Sequence, residues 1–160
     1  MSGEERGFVI DTNVIVGAFF YGSDYPQLRG SKSILSKCRL VLKLVRGKNV
    51  AVPRVAVVES ISVVKRISGD RELAIRLGNA IENSFEVVPE EMFYKVAKDI
   101  ASDTSPSGFD TYFLALSKSR EYRLVTRDRA LCTHARRVNV ECLLIDESIG
   151  ESEINAFMGG

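Results

Sequence analysis

Short apolar runs alternate along the chain with longer segments whose apolar residues recur at helical spacing. The runs are rich in β-branched and aromatic residues. Their consecutive apolar positions predict strands that are buried on both faces. The predicted strands are Phe8–Ile10, Asn49–Val52, Phe85–Val88, Arg123–Thr126 and Val140–Ile145.

The segments between these runs predict helices. Ser31 and Asp70 are suited to cap helices that reach about Arg46 and Asn83. Further helices are predicted to begin near Val14, to cover about 53–67, to run from Glu90 to about Ile100, to span 109–120, to follow Asp128 as far as about Arg137, and to close the chain. Because residues 53–67 include many β-branched side chains, a strand is the competing prediction there.

Strands that alternate with helices imply right-handed crossovers and a parallel sheet. We therefore predict an α/β fold with a mainly parallel, twisted central sheet of about five strands and helices on both faces. The chain has 160 residues, a length typical of one domain. The prediction is a single domain over 1–160, with its core at about 8–146.

The composition narrows the class of protein. With 45% hydrophobic and 27% charged residues the chain is ordinary for a globular protein. Its net charge of +1 provides no overall basic field, although residues 29–48 hold lysines and arginines and no acid. Three cysteines without CxxC spacing argue against a disulfide scaffold and fit packing in a reducing cytoplasm. Met1–Arg6 contain no apolar signal core and no run is long enough for a bilayer, so a soluble cytoplasmic protein without membrane contact is predicted.

Four acidic residues are predicted at one edge of the sheet. Asp11 directly follows the first strand, and Asp128 follows the fourth. Asp110 begins the helix that leads into the fourth strand, and Glu59 lies early in the helix that leaves the second. These positions belong to the carboxyl edge of a parallel sheet, where ligands bind in open α/β folds. We therefore expect the four carboxylates to converge.

Converging carboxylates repel one another and raise each other's pKa unless a cation lies between them. Hard oxygen ligands favour Mg²⁺ or Mn²⁺. Such an ion can orient a phosphodiester, neutralise its developing charge and activate water for in-line attack. The pattern therefore predicts hydrolysis without a serine, cysteine or histidine nucleophile.

Each acid also has a purely structural interpretation. Asp11 and Asp128 are suited to cap helices, and Asp110 would favourably meet the dipole of its helix. Glu59 is harder to explain in this way, because a lone acid among valines needs a partner. The four positions together favour a site over four unrelated structural roles.

The order and spacing of these segments resemble the PIN-domain nucleases, the fold shared by toxins of the VapC type. The matching segments are Val9–Asn13, Glu59 after the second strand, Phe109–Leu116 and Leu124–Asp128. The resemblance implies an endoribonuclease that depends on Mg²⁺ or Mn²⁺. Its catalytic and metal-binding residues would be Asp11, Glu59, Asp110 and Asp128. By position, Asn13 and Thr126 would orient these ligands or a water molecule.

The surroundings of the fourth acid differ from the family pattern. Many PIN nucleases carry a further acid just beyond it, whereas Arg129 follows Asp128 here, which speaks against a second metal site. Arg127 and Arg129 are placed to contact RNA phosphates. The only histidine, His134, is expected on the surface of a helix and not in a metal site.

The predicted function is therefore cleavage of RNA, and the resemblance adds an antitoxin protein and a second copy of the chain as partners. Two alternatives stay open. The same fold could act as a non-catalytic module that binds RNA or protein, or its acidic pocket could act on small phosphates. Cleavage that EDTA blocks and Mn²⁺ restores would separate the ribonuclease from the non-catalytic module.

Overall fold

A computed structural model describes residues 5–159. Its strands are β1 (Phe8–Ile10), β2 (Val50–Pro53), β3 (Glu86–Val88), β4 (Arg123–Thr126) and β5 (Cys142–Leu144). Its helices are α1 (Thr12–Phe19), α2 (Lys32–Leu44), α3 (Val55–Ser68), α4 (Arg71–Ser84), α5 (Tyr94–Thr104), α6 (Gly108–Arg120), α7 (Arg129–Arg137) and α8 (Glu151–Gly159). None of these helices has the length and apolar content that crossing a membrane requires. Both limits of the predicted 1–160 domain, and most of Met1–Arg6, lie outside the described residues.

Within residues 5–159 the five strands pair in parallel, in the order β3-β2-β1-β4-β5. Every residue of β1 and β2 is buried, which requires cover on both faces of the sheet. Two groups of packed helices provide this cover, α1 with α2 and α3, and α6 with α5 and α7. The predicted α/β fold, with a parallel five-stranded sheet and helices on both faces, is confirmed.

Helix starts follow the predicted capping residues. Ser31 Oγ accepts a hydrogen bond from the amide of Ile34 at 3.2 Å, and Asp70 Oδ1 accepts one from the amide of Leu73 at 3.0 Å. Residues 55–68 form α3 and not the competing strand. Gly69 ends α3 with a φ of 73°, a left-handed conformation that glycine adopts without strain.

The predicted helix start at Pro53 is wrong, because this proline ends β2 opposite Val88. Proline lacks the amide that a sheet ladder needs, which keeps it out of the middle of a central strand. Here the next residue, Arg54, supplies the amide that bonds the Val88 carbonyl at 3.0 Å. The helix α3 therefore begins two residues later, at Val55.

The predicted helix from Glu90 is also placed too early. Residues 90–92 form a separate 3-10 turn, and α5 runs from Tyr94 to Thr104. The Glu90 carboxylate accepts a hydrogen bond of 2.6 Å from the amide of Val55. It therefore satisfies a free amide at the start of α3, which a sequence pattern confined to its own segment does not reveal.

Two of the three cysteines form a disulfide. Cys132 on α7 and Cys142 on β5 are bonded, and their Cα atoms are 5.5 Å apart. The expectation that the cysteines only pack was wrong for this pair. The pair is separated by 10 residues in sequence and becomes adjacent only because α7 packs beside β5. Cys38 is free and buried.

Candidate active site

The strand order of the sheet reverses between β1 and β4, and ligands bind beyond the carboxyl ends of strands at such a switch point. Ile10 is in register with Val125, so Asp11 and Thr126 are the next residues outward on the two strands. The Thr126 hydroxyl donates a hydrogen bond of 2.7 Å to Asp11 Oδ2. The parallel register thus places an acid and its hydrogen-bond donor at the crevice.

Asp11 is a buried carboxyl that helix capping does not explain. It precedes α1, but its side chain makes no capping hydrogen bond. Only 4% of the residue is exposed. Burial raises the pKa of Asp11 from its ordinary 3.8 to about 7. The hydrogen bond from Thr126 opposes this rise in pKa, and the charges of Asp110 and Glu59 add to it.

Asp110 and Glu59 lie close enough to each other for their charges to interact. Asp110 is in the first turn of α6, Glu59 is in α3, and both are half-buried. Burial raises the pKa of Glu59, and the charge of Asp110 raises it further. Burial also raises the pKa of Asp110; a hydrogen bond with Ser107 opposes this, and the charge of Asp128 adds to it. The four predicted carboxylates are therefore linked by mutual repulsion.

Asp128 is tied to Asp11 through a shared threonine. Its backbone amide donates to Thr126 Oγ1 at 3.0 Å, and the same hydroxyl bonds Asp11. Asp128 Oδ1 accepts a hydrogen bond of 3.2 Å from the amide of Leu131 and so caps α7. The capping interpretation therefore holds for Asp128, but this bond uses only one of its two carboxylate oxygens.

The sequence profile of the PIN domain matches residues 8–137, a range that includes all four carboxylates. The chain belongs to the PIN domain family. The family predicted from the acidic segments is thereby confirmed. PIN domains are generally nucleases, and they generally use divalent metal ions. A comparison with curated proteins found no match.

Several solved structures resemble this PIN domain in fold. VapBC2 from Rickettsia felis, solved with a fragment of promoter DNA, has 14% sequence identity and a TM-score of 0.61; the match covers 87% of this chain and 98% of that chain. FitAcB from Neisseria gonorrhoeae has 19% identity and a TM-score of 0.59; the match covers 85% of this chain and 96% of that chain. PAE2754 from Pyrobaculum aerophilum has 16% identity and a TM-score of 0.58; the match covers 97% of this chain and 91% of that chain. At these identities the likeness establishes the fold.

The side chains at the crevice of this PIN domain suit a hard divalent cation. Carboxylate oxygens are the ligands that such ions prefer. Glu59 Oε2 and Thr12 Oγ1 are buried and have no hydrogen-bond partner within residues 5–159. A buried polar atom without a partner is costly, and an ion or its waters would relieve that cost. In the same range no three acidic, histidine or cysteine side chains are arranged to coordinate one ion, so the ligand set stays a prediction.

Asn13 and Arg127 line the same cavity as Asp128, whereas the second predicted RNA-contacting arginine, Arg129, does not. Asn13 Oδ1 accepts a hydrogen bond of 3.1 Å from the amide of Arg127, and so holds the backbone that carries Asp128. The Arg127 side chain lines a cavity beside Asp128. Arg129 does not line this cavity; it forms an exposed ion pair of 3.2 Å with Asp146. Of the two arginines, Arg127 is therefore the one placed to meet a ligand at the site.

The single histidine lies near Asp110, which sequence reasoning missed. His134 is half-buried, and its Nδ1 is 2.7 Å from the Thr104 hydroxyl. It is close enough to Asp110 for its charge to lower the pKa of that carboxyl. This proximity depends on the packing of α7 against α6. The only signal in the sequence was that His134 belongs to the helix that Asp128 precedes.

Proposed function

We propose that this PIN domain is an endoribonuclease that hydrolyses RNA phosphodiester bonds with Mg²⁺ or Mn²⁺. The observation that carries the proposal is the state of Asp11. This carboxyl is buried at the switch point, has a pKa raised to about 7 and caps no helix. Such a perturbed acid in a crevice is typical of a functional site. Membership of the PIN domain family supports the nuclease reaction.

The proposed ligands of the cation are Asp11, Asp110, Asp128 and Glu59. Bound there, a divalent cation would supply positive charge to the phosphodiester and activate water for in-line attack. Glu59 is also suited to hold the attacking water, because its Oε2 has no other hydrogen-bond partner within residues 5–159. Thr126 orients Asp11 and favours its charged form. Asn13 holds the segment that presents Asp128.

Cleavage of a labelled single-stranded RNA tests the proposal. We expect wild type to cleave in Mn²⁺ and to stop in EDTA. Asp110→Asn should lower the rate by about 100-fold or more, because it removes a metal-binding carboxylate. Asp99→Asn makes the same chemical change at an exposed position of α5 and should leave the rate unchanged. A folded Asp110→Asn protein that cleaves at the wild-type rate would contradict the proposal.

The same assay distinguishes the alternative functions. RNA that is bound but never cleaved, with any metal tested, would favour a non-catalytic module. Cleavage of a small phosphodiester without cleavage of RNA would favour a small-molecule enzyme. Both outcomes would use the same fold, so the substrate and the turnover decide between them.

We also propose that the protein is the toxin of a toxin–antitoxin pair. The support is its likeness in fold to VapBC2 and FitAcB, together with its PIN domain. A protein encoded beside its gene is expected to form a stable complex with it and to suppress cleavage. A neighbouring protein that neither binds nor inhibits would count against this role. A homodimer is a further prediction, which sedimentation of the purified protein tests.

A further inference from the structure

A cavity of about 910 Å³ lies beside two of the four carboxylates of the proposed site. One wall is a single face of α1, which includes Asn13 and Val16. A second part of the lining is a face of α3, and the segment 26–29 also lines the cavity. Glu59 and Asp128 both line this space. A ligand in the cavity would therefore be continuous with the proposed site of cleavage.

Three arginines of the cavity form no ion pair within the described residues. Arg29, Arg66 and Arg127 all line it. Within residues 5–159 none of the three forms an ion pair with an acid. Other arginines of the chain are paired in this way, for example Arg120 with Glu86 at 2.7 Å. Unpaired arginines beside a carboxylate cluster fit a ligand that is itself an anion.

A hydrogen bond to the backbone orients Arg127 before any ligand binds. Its Nη2 donates to the carbonyl of Arg29 at 3.1 Å. Its guanidinium lies so close to Gly30, which has a φ of 106°, that any side chain there would collide with it. The hydrogen bond to Arg29 orients the guanidinium, which lines the same cavity as Asp128. A donor that is already ordered loses little entropy when a phosphate binds.

Arg66 lies further along the cavity. Glu59, Val63, Arg66 and Ile67 share one face of α3, because residues three or four apart are neighbours on a helix. The seven helical steps from Glu59 to Arg66 correspond to about 10 Å along the helix axis. Arg66 therefore lies about two helical turns beyond Glu59, where it is placed for another phosphate of the same strand.

We propose, on the basis of the ribonuclease function above, that this cavity binds the single-stranded RNA segment next to the scissile bond. Arg127 contacts the phosphate nearest the carboxylates, and Arg66 contacts a more distant one. Apolar side chains of the same cavity offer a surface for the face of a base; they are Val16, Leu28, Val63 and Ile67. A base reaches such a wall only when it is unpaired, which selects single strands over duplex.

Binding of a fluorescent single-stranded RNA, followed by anisotropy at several salt concentrations, tests this inference. All proteins carry Asp110→Asn so that the RNA stays intact. Arg66→Gln is compared with Arg76→Gln, which removes another exposed arginine that lies outside the cavity. We expect Arg66→Gln to weaken binding roughly fivefold to tenfold and to flatten the slope of log affinity against log salt by about 0.7. Arg76→Gln should change neither.

Equal binding by the two variants would overturn the inference and leave the cavity to another ligand, such as a protein partner. Duplex RNA that binds as tightly as the single strand would overturn the selection for unpaired bases. The assay needs no turnover, so its result is independent of the proposed cleavage. If wild type cleaves RNA but Arg66→Gln binds RNA normally, only this inference is contradicted. If RNA binding depends on Arg66 but wild type does not cleave, only the proposed function is contradicted.

Discussion

Replacing Asp11 by asparagine is expected to stabilise the metal-free protein at alkaline pH while abolishing cleavage. Asp11 is 4% exposed, and its pKa is raised from 3.8 to about 7. Asparagine has nearly the same shape but no charge, so it removes the cost of burying a carboxylate. Its side-chain oxygen can still accept a hydrogen bond from Thr126. A substitution that increases stability and abolishes activity indicates that the carboxylate serves the reaction and not the fold.

The magnitude follows from the two pKa values. Well below pH 3.8 the Asp11 carboxyl is protonated in both folded and unfolded chains, and its charge costs nothing. As pH rises, the unfolded chain releases this proton first, so stability falls until about pH 7 and then levels off. The free energy of unfolding falls by about 1.4 kcal/mol for each of about three pH units, a total loss of about 4 kcal/mol. Because a neutral amide accepts a weaker hydrogen bond, we expect Asp11→Asn to gain about 2 to 4 kcal/mol at pH 8 and little at pH 4.

Urea unfolding in EDTA, followed by circular dichroism at pH 4, 6 and 8, measures this effect. The exposed Asp99→Asn should stay within about 0.5 kcal/mol of wild type at each pH. Mn²⁺ at pH 8 should stabilise wild type and leave Asp11→Asn nearly unchanged. If Asp11→Asn were less stable than wild type at pH 8 in EDTA, the Asp11 charge would support the fold and the reasoning would be refuted.

Three other changes test separate parts of the structure. Thr126→Val removes the hydroxyl that donates a hydrogen bond to Asp11. The pKa of Asp11 should therefore rise, and the pH–rate profile of cleavage should shift up by about one pH unit. Thr126→Ser keeps the hydroxyl and should retain the wild-type profile. Replacing both Cys132 and Cys142 by serine should lower the free energy of unfolding in urea by about 2 to 3 kcal/mol, because it opens the loop that the disulfide closes. Asp70→Ala should cost about 1 kcal/mol in the same assay, since it removes the cap of α4.

The parts of the fold that follow from local rules could be predicted from sequence. Asp11 follows an apolar run, and its place at the carboxyl edge follows from the parallel sheet. Ser31 and Asp70 cap helices through hydrogen bonds from amides three residues away. Such short-range contacts can be predicted from neighbouring residues in the sequence. The positions of the strands β1 and β4, which carry the site, needed only the pattern of apolar residues.

Contacts between distant segments could not be predicted in this way. Glu90 satisfies an amide of α3 that lies 35 residues away in sequence. His134 reaches Asp110 only because α7 packs against α6. The cavity depends on how α1 and α3 are spaced, so the position of Arg66 along it was not visible in the sequence. Each of these features depends on tertiary packing, which cannot be read from local patterns in a single sequence.

Calorimetric titration of Mn²⁺ into wild type and Asp110→Asn tests most directly whether the carboxylates bind a metal ion. At pH 8 wild type should bind Mn²⁺, and Asp110→Asn should bind it far more weakly or not at all. Wild-type affinity should fall about tenfold for each pH unit below 7, because Asp11 must first lose its proton. Equal binding by the two proteins, or none by either even with a non-cleavable RNA present, would contradict a metal-dependent nuclease.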